Sequence, residues 1–436
     1  MGVSDQPVDA VLALDVGMTA VKAAVIRRDG QFLALVRRFW PERSRPFALS
    51  QDVDVVWPTV ADAARAAVRS VPAVHIAAVV PTAAAALGLC LDAGGNPFVL
   101  AEPPAPRGRR RYAPASGYGR TLVQVVARAR RHDPGALARA ARVGALHTYL
   151  VWRLCGRWAS DAATGPGGPR WPAALLRMAR LDPQALPEIL PQEAAAGTLG
   201  EEAARSLALP GRPPVVVGGH DGASASFGAG AVQDGDCLLN LSTNFVPRVV
   251  TGAPVPGLFG YPIRPGAWAW VDGLAGAGRQ LDVAAEILAP LIGGREILAA
   301  AALAAVRRRA VAETLPYLSP ARAATQPARV RARLGRTLPP DVLYAALALG
   351  VAEALATRVG EAEGKGVHAR RFVATGGFTR QAVVVEAIAL ALGQRPFLAH
   401  PEAGALGAAA LAAVAAGWAA TPEDALRAWA RGREPS

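Results

Sequence analysis

One local plan occurs twice in this chain, and it constrains the fold more than any other feature. Residues 9–16 (DAVLALDV) read as a buried strand, Gly17 breaks it, and 20–27 (AVKAAVIR) resumes the apolar alternation. The Asp29-Gly30 pair then turns the chain into 31–36 (QFLALV), which completes a meander. After Gly235 the plan recurs: 236–241 (DCLLNL) is a strand, 242–244 (STN) a polar turn, and 245–250 (FVPRVV) a second strand. A strand, a turn sized for a phosphate and a second strand, at two places this far apart, predict the heads of two domains. A boundary near 231 divides the chain into 1–231 and 232–436, and 436 residues are too many for one ordinary core.

The rest reads as α/β. Helical spacing of Ala and Val predicts a helix near 58–69, and 74–80 (VHIAAVV) is an apolar strand. Residues 86–92 and 97–101 form a hairpin around Gly94-Gly95, and helices are expected to fill 121–155. The stretch 165–172 (GPGGPRWP) is a loop, and 214–218 (PVVVG) is a short strand that leads into 219–222 (GHDG). Long helices are expected at 277–291, 296–313 and 341–363, then a strand at 370–375, a turn at 376–380 and a helix at 381–393.

The formal charge of +13 suggests nucleic acid, but the pattern argues otherwise. The excess is almost all arginine, spread along the chain as in 107–111 (RGRRR) and 307–309 (RRR), with lysine only at Lys22 and Lys365. No zinc-finger, helix-turn-helix or RNA-binding aromatic pattern accompanies it, so no nucleic-acid partner is expected. The same field would favour a polyanionic metabolite such as ATP. Cys90, Cys155 and Cys237 are too scattered for a metal-ligand pair and fit free thiols in a reducing cytoplasm. The Ala/Gly-rich run 403–418 is expected to pack as a buried helix rather than enter a membrane.

Phosphoryl transfer needs a phosphate cradle, a metal holder and a base for the attacking hydroxyl. Residues 15–19 (DVGMT) offer a carboxylate at a strand end, a glycine that lets backbone N–H groups approach an anion, and the hydroxyl of Thr19. Asp15 is a candidate Mg²⁺ holder, directly or through water. Ser242 and Thr243 belong to the second turn. Gly376 and Gly377, between a strand and a helix in 373–380 (VATGGFTR), allow a flat base or an α-phosphate to come close. Asp221 in 218–222 (GGHDG) is the candidate base, and a helix N-cap is its structural alternative. His220 is read as a structural histidine or a substrate contact.

The order and spacing of these segments resemble the FGGY carbohydrate kinases. The resemblance rests on 15–22 (DVGMTAVK), 149–156 (YLVWRLCG) with 160–164 (SDAAT), 218–231 (GGHDGASASFGAGA), 316–322 (PYLSPAR) and the long block 373–416. It implies two ribonuclease-H-like domains of the actin-like ATPase fold with a central cleft, and ATP-dependent phosphorylation of a sugar, ketose or polyol. By it, Asp15, Gly17 and Thr19 line the phosphate and Mg²⁺ site, with Thr243 in the second phosphate turn. Gly376 and Gly377 lie by the adenosine, and Asp221 falls at the position of the catalytic base. A homodimer is compatible with this reading.

Some segments depart from the family's pattern. The second phosphate turn usually reads Gly-Thr-Ser or Gly-Thr-Thr, and here it is Ser242-Thr243-Asn244. The sugar-site segment often reads Ser-x-Gln-Met-His, and here 81–85 is PTAAA. Thr82, Glu102 and His220 are the substrate candidates that remain, and the 81–85 wall is expected to be apolar or roomy. Two other readings stay open: a nucleotide-binding sensor or scaffold with weakened chemistry, and an actin- or chaperone-like ATPase, which would not need a base at Asp221.

Overall fold

The computed structural model describes residues 7–41, 49–100, 117–309, 315, 317 and 338–431. Its strands are β1 Val8–Val16, β2 Ala20–Arg27, β3 Phe32–Phe39, β4 Val74–Ala83, β5 Leu87–Leu91, β6 Pro97–Val99, β7 Arg142–Ala145, β8 Ala159–Ser160, β9 Glu188–Ile189, β10 Ala195–Thr198, β11 Pro214–Val216, β12 Gly219–His220, β13 Asp236–Leu241, β14 Phe245–Thr251, β15 Gly260–Arg264, β16 Ala267–Val271, β17 Arg371–Thr375 and β18 Phe397–Leu398. Its helices are α1 Leu49–Arg69, α2 Gly117–His132, α3 Pro134–Arg139, α4 Leu146–Cys155, α5 Ala173–Ala179, α6 Glu201–Leu207, α7 Asp221–Gly228, α8 Ala277–Leu288, α9 Arg295–Arg307, α10 Pro340–Glu363, α11 Ala382–Leu392, α12 Ala403–Ala415 and α13 Pro422–Arg431. Where helices were expected to fill 121–155, α2, α3 and α4 form, and the strand β7 intervenes among them and pairs antiparallel with β5. Gly144 sits in it because a Cβ there would lie 2.8 Å from the Trp158 ring.

The residues group into two compact units. Unit 1 comprises 1–230, 256–268 and 403–436, and unit 2 comprises 231–255 and 269–402. These are not contiguous halves meeting at 231. Helices α12 and α13 return to unit 1 because their apolar faces complete its core.

In unit 1 the sheet order is β10-β11-β4-β1-β2-β3, with β12 also paired to β4. β1 runs antiparallel to β2 and parallel to β4, so the meander read from the sequence lies beside parallel strands. Both faces of β1 are buried. Ala10, Leu12, Leu14 and Val16 face one core with Trp40, Val60 and Leu150, while Val11 and Ala13 face another with Leu411, Ala412 and Trp429. Full burial of each Val or Leu contributes about 1.5–3 kcal/mol, which explains why the strand reads as an unbroken apolar run.

The second face of that sheet is covered by α12, an almost all-alanine helix, and α13. Small side chains let backbones meet. A Cβ on Gly407 of α12 would lie 2.0 Å from the carbonyl oxygen of Ser224, and one on Gly228 of α7 would lie 1.9 Å from that of Ala403. The α7–α12 crossing is therefore a backbone-to-backbone contact. At the far end, Trp429 of α13 donates its indole N–H to the Arg28 carbonyl at 2.8 Å and lies against Gly30, which takes the left-handed conformation of the β2–β3 turn.

Unit 2 repeats the plan. Within it the sheet runs β16-β14-β13-β17-β18, with β13 antiparallel to β14 and parallel to β17. Arg371 and Asp236 pair in two hydrogen bonds of 2.7 and 2.8 Å at the start of β17 and β13, which helps set their register. Helix α10 is long and apolar enough to cross a membrane by length and composition. It packs on α8, α9 and α11, and 56% of its apolar window is buried, as expected of a core helix.

The close helix crossing yields a stability test. Gly407→Val is expected to destabilise the protein by roughly 3 kcal/mol, because neither backbone can retreat without opening the core. Gly360→Ala, at an exposed position of α10 with nothing within 4 Å of the added methyl, is expected to stabilise it by about 1 kcal/mol. Urea midpoints that move the other way would refute this account of the crossing.

Candidate functional site

Strand register brings the first set of candidates together. Asp15 is paired with Thr82 of β4, and Thr82 is paired with Gly219 of β12, all in parallel register. Asp15 and the GHDG segment therefore stand at the carboxyl ends of neighbouring strands, about 10 Å apart at two inter-strand spacings. Ligands gather at such ends in open α/β sheets.

Asp15 is buried, with its carboxylate 3.5 Å from the ammonium of Lys22 on β2. A Cβ on Gly404 would lie 3.3 Å from its Oδ2, so the carboxylate sits against the first turn of α12, where the helix dipole favours negative charge. Lys22 was not among the sequence candidates, although as one of two lysines in an arginine-rich chain it was conspicuous. Gly17 closes the hairpin itself: its N–H donates to the Ala20 carbonyl at 3.0 Å, and its carbonyl accepts from the Trp40 indole at 3.0 Å. Met18 and Thr19 are the exposed residues of that turn.

Asp221 is the first residue of α7, and the N-cap is His220, whose Nδ1 accepts the Gly222 N–H at 3.1 Å. His220 Nε2 lies 3.2 Å from Asp221 Oδ1. The histidine side chain is 4% exposed and the aspartate 31%, so the ring is inside and the carboxylate looks out. Around the imidazole stand Tyr261, with ring centroids 4.4 Å apart, and Tyr118, at 4.9 Å. Phe259 packs edge-on against Tyr118 at 5.0 Å. These aromatics come from α2 and from the segment around β15, more than a hundred positions apart in the chain, and no local pattern links them.

Behind GGHDG lies a second buried polar layer. His147 of α4 donates from Nε2 to the Val217 carbonyl at 2.8 Å, and its Nδ1 accepts from the Ser160 hydroxyl at 3.2 Å. Burial holds its imidazole below the ordinary histidine pKa, although Asp161, 4.0 Å away, and the Val217 carbonyl pull upward. Asp161 accepts from the Ala163 and Thr164 N–H groups, both at 3.1 Å, and from Gln192 Nε2 at 2.8 Å. A Cβ on Gly219 would lie 2.7 Å from Asp161 Oδ2, and one on Gly218, whose φ is +67°, would lie 1.8 Å from the Pro81 carbonyl oxygen. Both glycines are therefore required by close approach. The block 160–164 had marked this place without assigning it a role.

Thr82 needs correcting. It was expected on the substrate wall, but it is fully buried, and its hydroxyl bonds the Gly219 carbonyl at 2.9 Å and Ser224 Oγ at 3.0 Å. Helix α7 forces this, because its Ser224 covers the face of the sheet to which the Thr82 side chain points. Glu102 and the arginines of 107–111 lie outside the described residues.

In unit 2 the turn 242–244 ends β13 and Gly376-Gly377 ends β17, with Asn240 paired to Thr375 immediately before them. The Ser242 hydroxyl donates to the Asn244 carbonyl at 3.3 Å. The Thr243 carbonyl accepts the Gly278 and Arg279 N–H groups at 3.1 and 3.3 Å, and Asn244 Oδ1 accepts the Gly276 N–H at 2.7 Å. Asn244 thus ties the turn to the start of α8. Gly376 has φ of +98°, and a Cβ there would lie 2.4 Å from the Leu241 carbonyl oxygen, whereas Gly377 is exposed with nothing within 4 Å.

Comparison with known proteins identifies the family. Residues 123–228 match the FGGY family of carbohydrate kinases, N-terminal domain, and 264–416 match the C-terminal domain of that family. Asp221, Gly376 and Gly377 fall within these stretches; Asp15, Ser242 and Thr243 fall outside them. The chain is 27% identical over 311 residues to the xylulose kinase of Escherichia coli (strain K12), a match spanning 68% of this chain and 63% of that protein. Its fold is shared with the xylulose kinase of Rhodospirillum rubrum, with TM-score 0.69, 21% identity and 97% of each chain covered. It is shared also with the Plasmodium falciparum glycerol kinase solved with ADP, with TM-score 0.72, 13% identity, and 97% of this chain and 93% of that one covered. The two matched domains and the shared two-domain actin-like architecture lead to one statement: the chain belongs to the FGGY family of carbohydrate kinases.

Proposed function

We propose that this chain transfers the γ-phosphoryl group of ATP to a hydroxyl of a sugar, ketose or polyol, with Asp221 as the general base. The observation that carries the proposal is the register that stands Asp15 and His220-Asp221 at the same end of strands β1, β4 and β12. A spacing of about 10 Å between strand ends suits a phosphate tail at one and an acceptor hydroxyl at the other.

In this reading Asp221 takes the proton as the acceptor oxygen attacks the γ-phosphorus; the new O–P bond forms, the bond to the β-phosphate oxygen breaks, and ADP leaves. Met18 and Thr19 approach the phosphates from unit 1, and Ser242 and Thr243 do so from unit 2. Gly376 and Gly377 border the adenosine.

A Mg²⁺ ion suits the Asp15 site. It is a hard cation that takes one or two carboxylates plus phosphate oxygens, and Asp15 with the Thr19 hydroxyl supplies oxygen donors of that kind. Among the described residues no cluster of three or more ligating side chains would form an all-protein cage, which fits an ion that arrives with its nucleotide. When bound it would supply charge neutralisation at the phosphates. Lys22 beside Asp15 would add to the same field.

A reducing, cytoplasmic setting is part of the proposal. The three cysteines are unbridged, and burial pushes the Cys90 thiol up to about 12 and that of Cys237 higher, which leaves both inert.

Two experiments test this. ADP release is to be followed over a panel of pentuloses, hexuloses, aldonates and polyols. With the best acceptor, Asp221→Asn is expected to lower kcat by about 10²–10⁴ with little change in ATP affinity. Near-normal turnover in the folded variant would remove Asp221 from the role, and ATP binding with no acceptor in the panel would favour the sensor reading.

The second concerns the nucleotide. Gly377→Val is expected to leave the fold intact, because a Cβ there meets nothing within 4 Å, and to weaken ATP binding about tenfold, roughly 1.4 kcal/mol. Gly376→Ala is expected to lower stability instead, by strain at positive φ and collision with Leu241. Calorimetry that shows unchanged ATP affinity for Gly377→Val would place the adenosine elsewhere.

A further inference from the structure

We propose that His220 is a positioning residue for Asp221: its Nε2–H holds the carboxylate, and a stacked pair of tyrosine rings packs against its imidazole. The proposal rests on the reading of Asp221 as the base, and gives His220 a part in the reaction without contact to substrate.

The hydrogen bonds fix the tautomer. The Gly222 N–H points at Nδ1 from 3.1 Å, so Nδ1 presents a lone pair and the neutral ring carries its proton on Nε2. Asp221 Oδ1 lies 3.2 Å from that nitrogen, within ion-pair reach. Turning the ring over would break the Gly222 bond and carry the protonated nitrogen away from the carboxylate. Two tyrosine rings that stack on each other, with centroids 5.7 Å apart, pack against the imidazole from one side: Tyr261 and Tyr118 stand 4.4 and 4.9 Å away at 58° and 35° to it, and Phe259 backs Tyr118. Tyr118 is itself anchored: the next residue, Gly119, donates its N–H to the Gly165 carbonyl at 2.7 Å, and a Cβ there would lie 2.6 Å from Pro166. The Pro/Gly-rich loop after Asp161 thus supports the tyrosine pair.

The need for such a device follows from where Asp221 sits. A carboxylate in the first turn of a helix is drawn toward that turn's unsatisfied N–H groups. A base must instead present an oxygen to an incoming hydroxyl within about 3 Å, and a misplacement of 1 Å can cost about 10²-fold. His220 takes over the capping of Gly222 and, with its other nitrogen, holds one carboxylate oxygen in place.

Two substitutions separate this role from plain helix capping. Asparagine puts an acceptor near the place of Nδ1 and loses the Nε2 donor; glutamine reaches the place of Nε2 with an N–H and loses the cap. ADP release is to be measured with Mg-ATP and D-xylulose, D-gluconate, glycerol or water as acceptor. His220→Asn is expected to lower kcat about 10- to 100-fold with KM for ATP within about threefold, and His220→Gln to recover most of the loss. Added to Asp221→Asn, His220→Asn is expected to cost nothing further. The opposite order, with asparagine equal to wild type and glutamine impaired, would show capping alone and overturn the proposal. If Asp221→Asn is itself silent, the base assignment has failed; if Asp221→Asn is severe and His220→Asn harmless, only the positioning role has. Nitrogen-15 spectra of the wild-type protein's histidines, six in all, give a check independent of turnover and of variant folding. His220 is expected to show a bare Nδ1 and a protonated Nε2, and the reverse tautomer would overturn the proposal.

Discussion

The contact between α7 and α12 governs more of unit 1 than any other interaction. Gly228 and Gly407 let two helix backbones touch where any side chain would keep them apart. Asp221 opens one of these helices, and Asp15 lies against Gly404 of the other. Asp15 and Asp221, the metal holder and base of the proposed reaction, therefore lie on or against elements joined by main-chain contact, which is stiffer than contact through side chains that can change rotamer. The alanines of 403–415 follow from this, for only small residues can pack so near the sheet.

Polar order is layered behind the same place. Thr82, Gly218 and Gly219 tie β4 to β12, and Asp161, Gln192 and His147 support them from below. Charge buried this way is costly unless each oxygen finds a donor, and Asp161 has three. The unusual segment 81–85 makes sense here. Pro81 and Thr82 serve the GGHDG strand, so the missing polar side chains of that stretch say less about a substrate than their place in the sequence suggested.

Much of this was legible in advance. The meander, the recurrence after Gly235 and the strand–glycine–helix passage at 371–392 announced themselves because each depends on neighbours in sequence. Asp221 was singled out for the same reason, and the N-cap position that was its structural alternative belongs to His220. What escaped notice depends on distance. Tyr118 and Tyr261 meet His220, and Phe259 meets Tyr118, only through the fold, and Lys22 meets Asp15 only across a hairpin. Thr82 was set on the substrate wall because 81–85 was read as the sugar-site segment, while α7 covers its side chain. The membership of 403–431 in unit 1 was hidden too, since an alanine-rich helix shows the need for a close neighbour but not which one.

That membership bears on how the chain is made. As the polypeptide leaves the ribosome, β1, β2, β4 and β11 are complete well before α12 exists, and all of 269–402 must be synthesised in between. During that interval Val11, Ala24, Ile26, Val80 and Val216, which end up under α12 and α13, have no native cover. The first sheet to appear is thus among the last to be finished, and the nascent chain carries an exposed β surface of the kind that chaperones hold and that aggregates when they do not.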